Sequence, residues 1–147
     1  MPEFAWDNTI AEGPFVIARD GKLFLIYSGS LVGIDYTTGL AMAPAGVGAD
    51  LTDPTSWTKL NYPLQKSGIY NGAWQLGTGH GMFSHDEDGN LIYVFHAANN
   101  RDGIYHGRDA QVRRVHWAAD GMLILDMQED EEVAPHLREV TAHIRVR

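Results

Sequence analysis

The segment Thr9–Ser30, "TIAEGPFVIARDGKLFLIYSGS", carries the clearest information about the fold of this chain. Two runs rich in Val, Ile, Leu, Phe and Tyr flank Asp20-Gly21, a dipeptide that β-hairpins use where the backbone needs positive φ. Glu12 stands at the start of the first run, although Glu is depleted from strands and the packing pattern gives no reason for a carboxylate there. The segment therefore predicts a hairpin with an unexplained acidic residue at the mouth of its first strand.

The same hairpin pattern occurs twice more, in "MFSHDEDGNLIYVFH" (82–96) and in "VRRVHWAADGMLILDM" (112–127). Helix signals are poor, because 16 Gly and 6 Pro are scattered along the chain. The last ten residues, "REVTAHIRVR" (138–147), alternate polar and apolar side chains and predict another strand. The pattern predicts an all-β chain of about eight or more short strands.

Antiparallel hairpins joined by long loops favour a β-propeller, in which each blade is a four-stranded sheet. The chain would then hold about two to three blades, whereas known propellers close with ~4–8. A β-sandwich is the structural alternative, but it would have strands at a regular spacing of ~8–12 residues. The loop-rich segment Ala43–Gly79 interrupts that spacing.

Composition limits the classes of function. A length of 147 residues suits one domain or part of a larger one, and a formal charge of −8 disfavours nucleic acid as a partner. No apolar run approaches the ~20 residues of a membrane span. The chain has no Cys, which excludes thiol chemistry. Both a cytoplasmic and a secreted bacterial protein fit this composition, because the first residues lack signal-peptide features but could follow a longer segment.

Several motifs occur in a specific order. Glu12-Gly13-Pro14 is followed by "LFLIYSGS", "DLTDPTSWTK", "GTGHGMF", "DEDGNLIYVFHA" and "HGRDAQVRRVHWAADG". This order and spacing resemble the glycoside hydrolases of family 43, five-bladed β-propeller enzymes that remove arabinofuranose or xylose units from plant polysaccharides. The resemblance covers nearly the whole chain. It implies that residues 1–147 are the C-terminal portion of the catalytic domain and form part of a five-bladed propeller.

The resemblance places the general acid of the reaction at Glu12. Glycoside cleavage needs a proton donor near the scissile oxygen, and a carboxyl group partly removed from water favours its protonated form. Pro14 would stiffen the turn that aims the side chain. An exposed Glu at a strand edge is the alternative.

The resemblance also assigns roles to a histidine and an arginine. His80, placed at a strand start, resembles the central histidine of the family, which lies near a water-bound metal, often calcium. The chemistry itself implies no cofactor. Thr78 stands where the family usually has proline. Arg108 resembles the arginine that touches the sugar or the catalytic base, and its planar guanidinium suits that task. A hydrogen-bonded core histidine and a surface arginine are the alternatives.

Trp74 and Gln75 are weaker candidates for substrate binding. An aromatic face near a sugar site is a flat apolar platform, and an amide can hydrogen-bond a hydroxyl. Trp74 could equally fill space between blades, as we expect for Trp57 and Trp117. Arg113 is predicted to face outward.

An inverting glycosidase needs a second carboxylate that activates water, ~6.5–9.5 Å from the acid. The resemblance implies inversion, with the catalytic base and a further Asp both preceding the Glu. Only eleven residues precede Glu12, and Asp7 is too close in sequence to be either. We therefore expect the chain to carry the acid, to lack the base and to be inactive alone. A non-catalytic carbohydrate-binding or assembly module and an unrelated β-sandwich binding module are the alternative functions.

Two kinds of partner are expected. The resemblance implies a pentose-containing oligosaccharide or polysaccharide as the ligand. Two to three blades would leave apolar surfaces and strand edges uncovered, which predicts either a homo-oligomer or tight binding to a complementing N-terminal half. The segment 138–147 is the candidate for strand exchange.

Overall fold

The computed structural model describes residues 3–101, 104–131 and 141–146. Over this part, three short 3-10 helices cover Ala5–Asp7, Pro54–Ser56 and Glu129–Glu131. The strands in chain order are β1 Ala11–Arg19, β2 Lys22–Gly29, β3 Thr37–Pro44, β4 Thr58–Lys59, β5 Gly68–Tyr70, β6 Ala73–His85, β7 Leu91–Arg101, β8 Ile104–Arg114, β9 His116–Trp117 and β10 Leu123–Ile124.

The strands form antiparallel sheets in which neighbours in sequence are neighbours in space. The first sheet has the order β1-β2-β3-β4 and the second has the order β5-β6-β7-β8, while β9 and β10 form a two-stranded sheet. Two complete four-stranded sheets and a smaller third one agree with the predicted two to three blades. The all-β prediction is confirmed.

The three predicted hairpins are all present. Asp20 and Gly21 join β1 to β2 with φ of 49° and 73°, the conformation that a two-residue hairpin turn requires at both positions. Gly89 and Gly121 take positive φ in the other two turns. Local turn chemistry therefore sets the strand order of this chain.

Two strand predictions need correction. Residues 141–146 are not a strand, and Ile144 and Val146 are 85% and 89% exposed, while 138–140 and 147 lie outside the described residues. Alternation yields a strand only where a neighbouring strand edge can pair with it. The predicted loop 43–79 contains β4, β5 and the first half of β6. His80 consequently lies in the middle of a long strand and not at its start.

The core lies between the two large sheets. Phe15 of β1 meets Phe83 of β6 edge to face, with ring centroids 6.0 Å apart. Trp117 packs against Phe24 at 5.3 Å, which places it between sheets as expected. Trp57 is half-buried, and its indole N–H donates to the Leu51 carbonyl within its own loop at 3.0 Å. The buried cluster consists of Phe24, Ile26, Leu40, Phe83, Tyr93, Phe95, Ala97, Val115, Leu123 and Leu125.

A buried ion pair ties the N-terminal segment to the first sheet. Asp7 is 2% exposed and pairs with the ammonium of Lys59, which ends β4. It also accepts hydrogen bonds from the backbone N–H groups of Glu3 and Phe4 and from the Tyr27 hydroxyl. The 3-10 helix Ala5–Asp7 is thereby fixed against β2 and β3. No helix in the described ranges is long and apolar enough to cross a bilayer.

Candidate active site

Glu12 lies near the start of β1, opposite Ser28 of β2. The pairing of β1 with β2 is interrupted between Glu12 and Phe15, where Gly13 takes a φ of 59°. A Cβ on Gly13 would lie 3.2 Å from the His80 ring, so glycine allows β1 and β6 to approach here. The side chain of Glu12 is 41% exposed. A carboxyl group of this kind can reach both the second sheet and solvent.

His80 faces Glu12 from the second sheet. It adopts a φ of 51°, which is uncommon for a residue with a side chain, and it lies where the register of β6 and β7 shifts. Its backbone N–H donates to Ser28 Oγ at 2.6 Å, which joins the irregular part of β6 to β2. Its Nδ1 is 3.9 Å from Glu12 Oε1. Backbone that departs from regular strand geometry therefore places the imidazole beside the carboxyl group.

Tyr36 is the closest hydrogen-bonding partner of Glu12 among the described contacts. It is fully buried ahead of β3, and its hydroxyl donates to Glu12 Oε1 at 2.6 Å. The same hydroxyl is 3.5 Å from His80 Nδ1. Burial, followed by the hydrogen bond to Glu12, raises the pKa of Tyr36 to about 12. Tyr36 is therefore a neutral donor at physiological pH.

His96 of β7 supports Tyr36 from behind. Their rings stack with centroids 5.5 Å apart and planes 7° apart, and His96 is 6.4 Å from the His80 ring. Burial lowers the pKa of His96, and electrostatic interactions with Arg108 and His80 lower it further. The His96 ring that stacks on Tyr36 is therefore neutral at neutral pH.

Arg108 lies on β8, the edge strand of the second sheet, with its side chain exposed. Its charge acts on both Tyr36 and His96, favouring a lower pKa at each. Arg108 is thus electrostatically coupled to the residues that surround Glu12. His80 lies beside Glu12, and the meeting of Arg108 with these two side chains stays a prediction.

The structure places Trp74 and Gln75 at the start of β6. Trp74 is 49% exposed and pairs with Ile69 of β5. Gln75 donates to Gln111 Oε1 at 3.0 Å and accepts a hydrogen bond from the Arg113 guanidinium. The Gln75 amide is therefore already engaged by side chains of β8.

The prediction that Arg113 faces outward is wrong. The residue is 7% exposed, its guanidinium lies 3.8 Å from the Tyr70 ring centroid, and it donates to the Leu125 carbonyl at 2.9 Å. Strand alternation alone could not show that the Tyr70 ring and the Leu125 carbonyl lie on the buried side of β8, where they bind the guanidinium.

The donor set around His80 does not form a calcium cage. Calcium takes 6–8 oxygen ligands, whereas this region offers imidazoles and one carboxylate that already accepts from Tyr36. Over the part of the chain that the structure describes, no group of three or more His, Cys, Asp or Glu side chains could hold a metal ion. The residues present do not fit calcium by themselves.

Sequence reasoning missed Tyr36. It belongs to none of the quoted motifs, and the only signal is an aromatic residue ahead of the apolar run of β3. A carboxylic acid held at a strand end, next to an imidazole and within the field of an arginine, fits the acid half of a glycoside hydrolase site.

Comparisons with known proteins agree with the class of glycoside hydrolases. The family description "Glycosyl hydrolases family 43" matches residues 3–123, and the chain belongs to that family. It is 36% identical over 130 residues to the extracellular exo-α-(1→5)-L-arabinofuranosidase of Streptomyces avermitilis, covering 82% of this chain and 26% of that relative. It is 35% identical over 131 residues to α-L-arabinofuranosidase 43 of Humicola insolens, with the same coverage of 82% and 26%.

A solved structure gives the same result at the level of the fold. The α-L-arabinofuranosidase of Lactobacillus brevis superposes with a TM-score of 0.73 at 34% identity, covering 83% of this chain and 39% of that one. The fold is part of a five-bladed β-propeller, which excludes the β-sandwich alternative. The chain spans about a quarter of the length of the curated relatives that it matches.

Proposed function

We propose that this chain supplies the general acid of an inverting glycosidase that cleaves α-L-arabinofuranosyl or β-D-xylosyl linkages in plant oligosaccharides or polysaccharides. The observation that supports this most is the carboxyl group of Glu12, held by Tyr36 and flanked by His80. The relatives named above are arabinofuranosidases, which favours the arabinofuranosyl linkage of the two.

In the proposed reaction, protonated Glu12 gives its proton to the glycosidic oxygen as the bond from that oxygen to the anomeric carbon breaks. A base removes a proton from water as the water attacks the opposite face of the sugar. Asp7 is unsuited to be that base, because it is buried and bound to Lys59. The base would come from outside the described residues.

The remaining predicted residues take supporting roles in this proposal. Arg108 would hydrogen-bond a sugar hydroxyl or the base, because its exposed guanidinium is already coupled to Tyr36. Trp74 would offer its exposed face to a sugar ring. Gln75 would bind a sugar hydroxyl only by exchanging a hydrogen bond that it makes with Gln111 or Arg113. The expected calcium near His80 would need ligands from elsewhere, and none of the proposed steps depends on it.

Release of p-nitrophenol from aryl arabinofuranosides and xylosides tests the role of Glu12. The assay compares this chain alone with this chain mixed with the N-terminal portion of the Lactobacillus brevis enzyme, the part that this chain does not match. We expect no turnover from the chain alone and turnover from the mixture. Glu12→Gln should lower the turnover of arabino-oligosaccharides, whose alcohol leaving group needs a proton, by ~10²–10⁴, and that of the aryl glycosides by less.

Glu87→Gln is the matched control for this substitution, because Glu87 is exposed in the turn after β6. Turnover by the chain alone that Glu12→Gln abolishes would contradict the missing base. Turnover of arabino-oligosaccharides by the mixture that Glu12→Gln leaves unchanged would contradict the role of Glu12 as the acid.

A non-catalytic carbohydrate-binding or assembly module is the second candidate. The observation in its favour is that the chain matches only 26% of the length of its curated relatives. Binding of arabino-oligosaccharides by the chain, measured by calorimetry, combined with an inactive mixture, would favour this function over the first.

The outer face of the first sheet offers a place where another protein chain could bind. A groove of about 640 Å³ lies there, lined among others by Leu25, Tyr27, Ala41 and Trp57. Glu3, Asp7 and Lys59 also line this groove, so a partner there would have to offer polar as well as apolar groups. A second copy of this chain or a complementing N-terminal half would cover it. The extracellular relative from Streptomyces avermitilis favours secretion of the assembled protein.

A further inference from the structure

We infer that Tyr36 is a positioning residue that fixes the Glu12 carboxyl group so that Oε2, and not Oε1, delivers the proton to the substrate. This inference rests on the proposed role of Glu12 as the acid. Tyr36 would act through Glu12 and would not itself touch the substrate.

The two carboxyl oxygens of Glu12 have different surroundings. The Tyr36 hydroxyl donates to Oε1 at 2.6 Å, and His80 Nδ1 lies 3.9 Å from the same oxygen. A hydrogen bond this short is typical of a hydroxyl that donates to a carboxylate. When the acid is protonated, the oxygen that accepts from the phenol is the carbonyl oxygen, and the proton resides on Oε2. The arrangement therefore determines which oxygen faces the glycosidic bond.

Tyr36 is rigid enough to do this. Its side chain is fully buried, and its ring stacks on His96. Its backbone N–H donates to the Gly33 carbonyl at 3.2 Å. A Cβ on Gly79 would lie 2.5 Å from Tyr36 Cε1, so the ring occupies space that only glycine leaves open.

The carboxyl group needs such a partner because it is otherwise mobile. The side chain of Glu12 is 41% exposed, and the last torsion angle of a glutamate has a broad, two-fold preference. Without the phenol, the carboxyl group would exchange its two oxygens and sample orientations that do not point at the bond to be cleaved. Correct orientation of a reacting group contributes strongly to catalysis.

NMR spectroscopy of the full chain tests the contact directly. The protein carries ¹³C at Tyr Cζ and Glu Cδ. We expect Tyr36→Phe to move the Glu12 Cδ resonance and Glu12→Gln to move the Tyr36 Cζ resonance. Tyr27→Phe is the matched control, because Tyr27 is also buried and donates to a carboxylate, that of Asp7. A Glu12 resonance that responds equally to both Phe variants, or to neither, would overturn the inference.

The dependence of the rate on the leaving group tests the consequence for catalysis, in the mixture described above. An arabinoside of an alkyl alcohol needs protonation of its leaving group, whereas a 2,4-dinitrophenyl arabinoside does not. We expect Tyr36→Phe to lower kcat about 10-fold on the alkyl substrate with little change in KM, and less than about 2-fold on the dinitrophenyl substrate. A merely structural defect would lower both rates equally.

The two proposals can fail separately. If Glu12→Gln discriminates between the substrates and Tyr36→Phe does not, Tyr36 has no positioning role and Glu12 remains the acid. If Glu12→Gln does not discriminate either, the proposed function is wrong and this inference fails with it.

Discussion

Replacing Lys59 with Met should destabilise this protein more than any surface substitution. The ammonium of Lys59 is the ionic partner of Asp7, a carboxylate that is 2% exposed, and Lys59 itself is 20% exposed. Burial by itself would raise the pKa of Asp7, but the hydrogen bonds from Lys59, Phe4 and Glu3 outweigh it and hold the pKa below the usual value. Lys59→Met would leave the charge of Asp7 buried without its cation.

The magnitude follows from the burial of the two partners. Removing one partner of a buried ion pair costs about 3–5 kcal/mol. Asp7 would keep two backbone N–H groups and the Tyr27 hydroxyl, so we expect the lower end, about 3 kcal/mol. That is a factor of about 150 in the folding equilibrium. For a urea m-value of about 2 kcal/mol/M, the midpoint would fall by about 1.5 M.

Urea unfolding followed by tryptophan fluorescence measures this change at pH 7 and at pH 3. Lys66→Met is the control, since Lys66 is exposed, and we expect it to change stability by less than about 0.5 kcal/mol. Because the folded-state pKa of Asp7 is lowered, its stabilisation is present above the unfolded value of about 3.9 and is lost as the pH falls through the folded value. The difference between wild type and Lys59→Met should therefore shrink at pH 3.

Two results would refute this reasoning. One is a loss smaller than about 1 kcal/mol at pH 7 with an unchanged m-value, which would mean that the pair is effectively solvated. The other is a difference that grows as the pH falls, since protonation of Asp7 can only reduce the cost of its missing partner. The double variant Asp7→Asn/Lys59→Met should recover part of the loss, because it removes the unpaired charge.

Further predictions concern the site, the core and assembly. Gly79→Ala should destabilise the fold by about 1–3 kcal/mol, because its Cβ would meet the Tyr36 ring, whereas Gly46→Ala, with open space around it, should be nearly neutral in the same denaturation assay. Tyr36 should ionise with a pKa of about 12, and Glu12→Gln should lower that pKa, because the carboxylate opposes the phenolate; a ¹³C titration that shows no decrease would contradict this. Arg113→Lys should cost about 1–2 kcal/mol in thermal unfolding, since an ammonium cannot both stack on an aromatic ring and form the same fork of hydrogen bonds. Light scattering should show a species larger than one chain at micromolar concentration, and a monodisperse monomer would argue against an uncovered blade surface.

The strand order could be predicted because its signals are local. Asp20-Gly21 and the two later glycine turns each join two strands that are neighbours in sequence, and the alternation on either side sets which face is buried. Alternation of polar and apolar residues wrongly predicted a strand at 141–146. The pattern shows that a segment could form a strand, but it does not show whether another strand is available to pair with it. A chain that spans part of its relatives is where this failure is most expected.

The details of the site could be predicted only in part. The resemblance brought Glu12 and His80 to the same region, since both belong to ordered motifs. The hydrogen bond from Tyr36 joins residues 24 positions apart in the chain, and its approach to His80 spans 44 positions. Such contacts arise from how two sheets pack, and neither periodicity nor turn chemistry encodes them. The need for glycine at position 79 can be explained only once the structure shows that the Tyr36 ring occupies the space of its Cβ.

The acid side of the site has a further property that bears on assembly. The Glu12 carboxyl group is contacted by Tyr36, which directly precedes β3 of the first sheet, and by His80 of the second sheet. Ser28 of the first sheet binds His80, and His96 of the second sheet stacks on Tyr36. We therefore expect the geometry around Glu12 to follow from the packing of these two sheets and to persist when blades from another segment join. In the proposed function, a complementing half would contribute the base and cover the outer face of the first sheet. If the Tyr36 resonance moved strongly when such blades were added, the surroundings of the acid would be assembled by both halves, which would contradict this expectation.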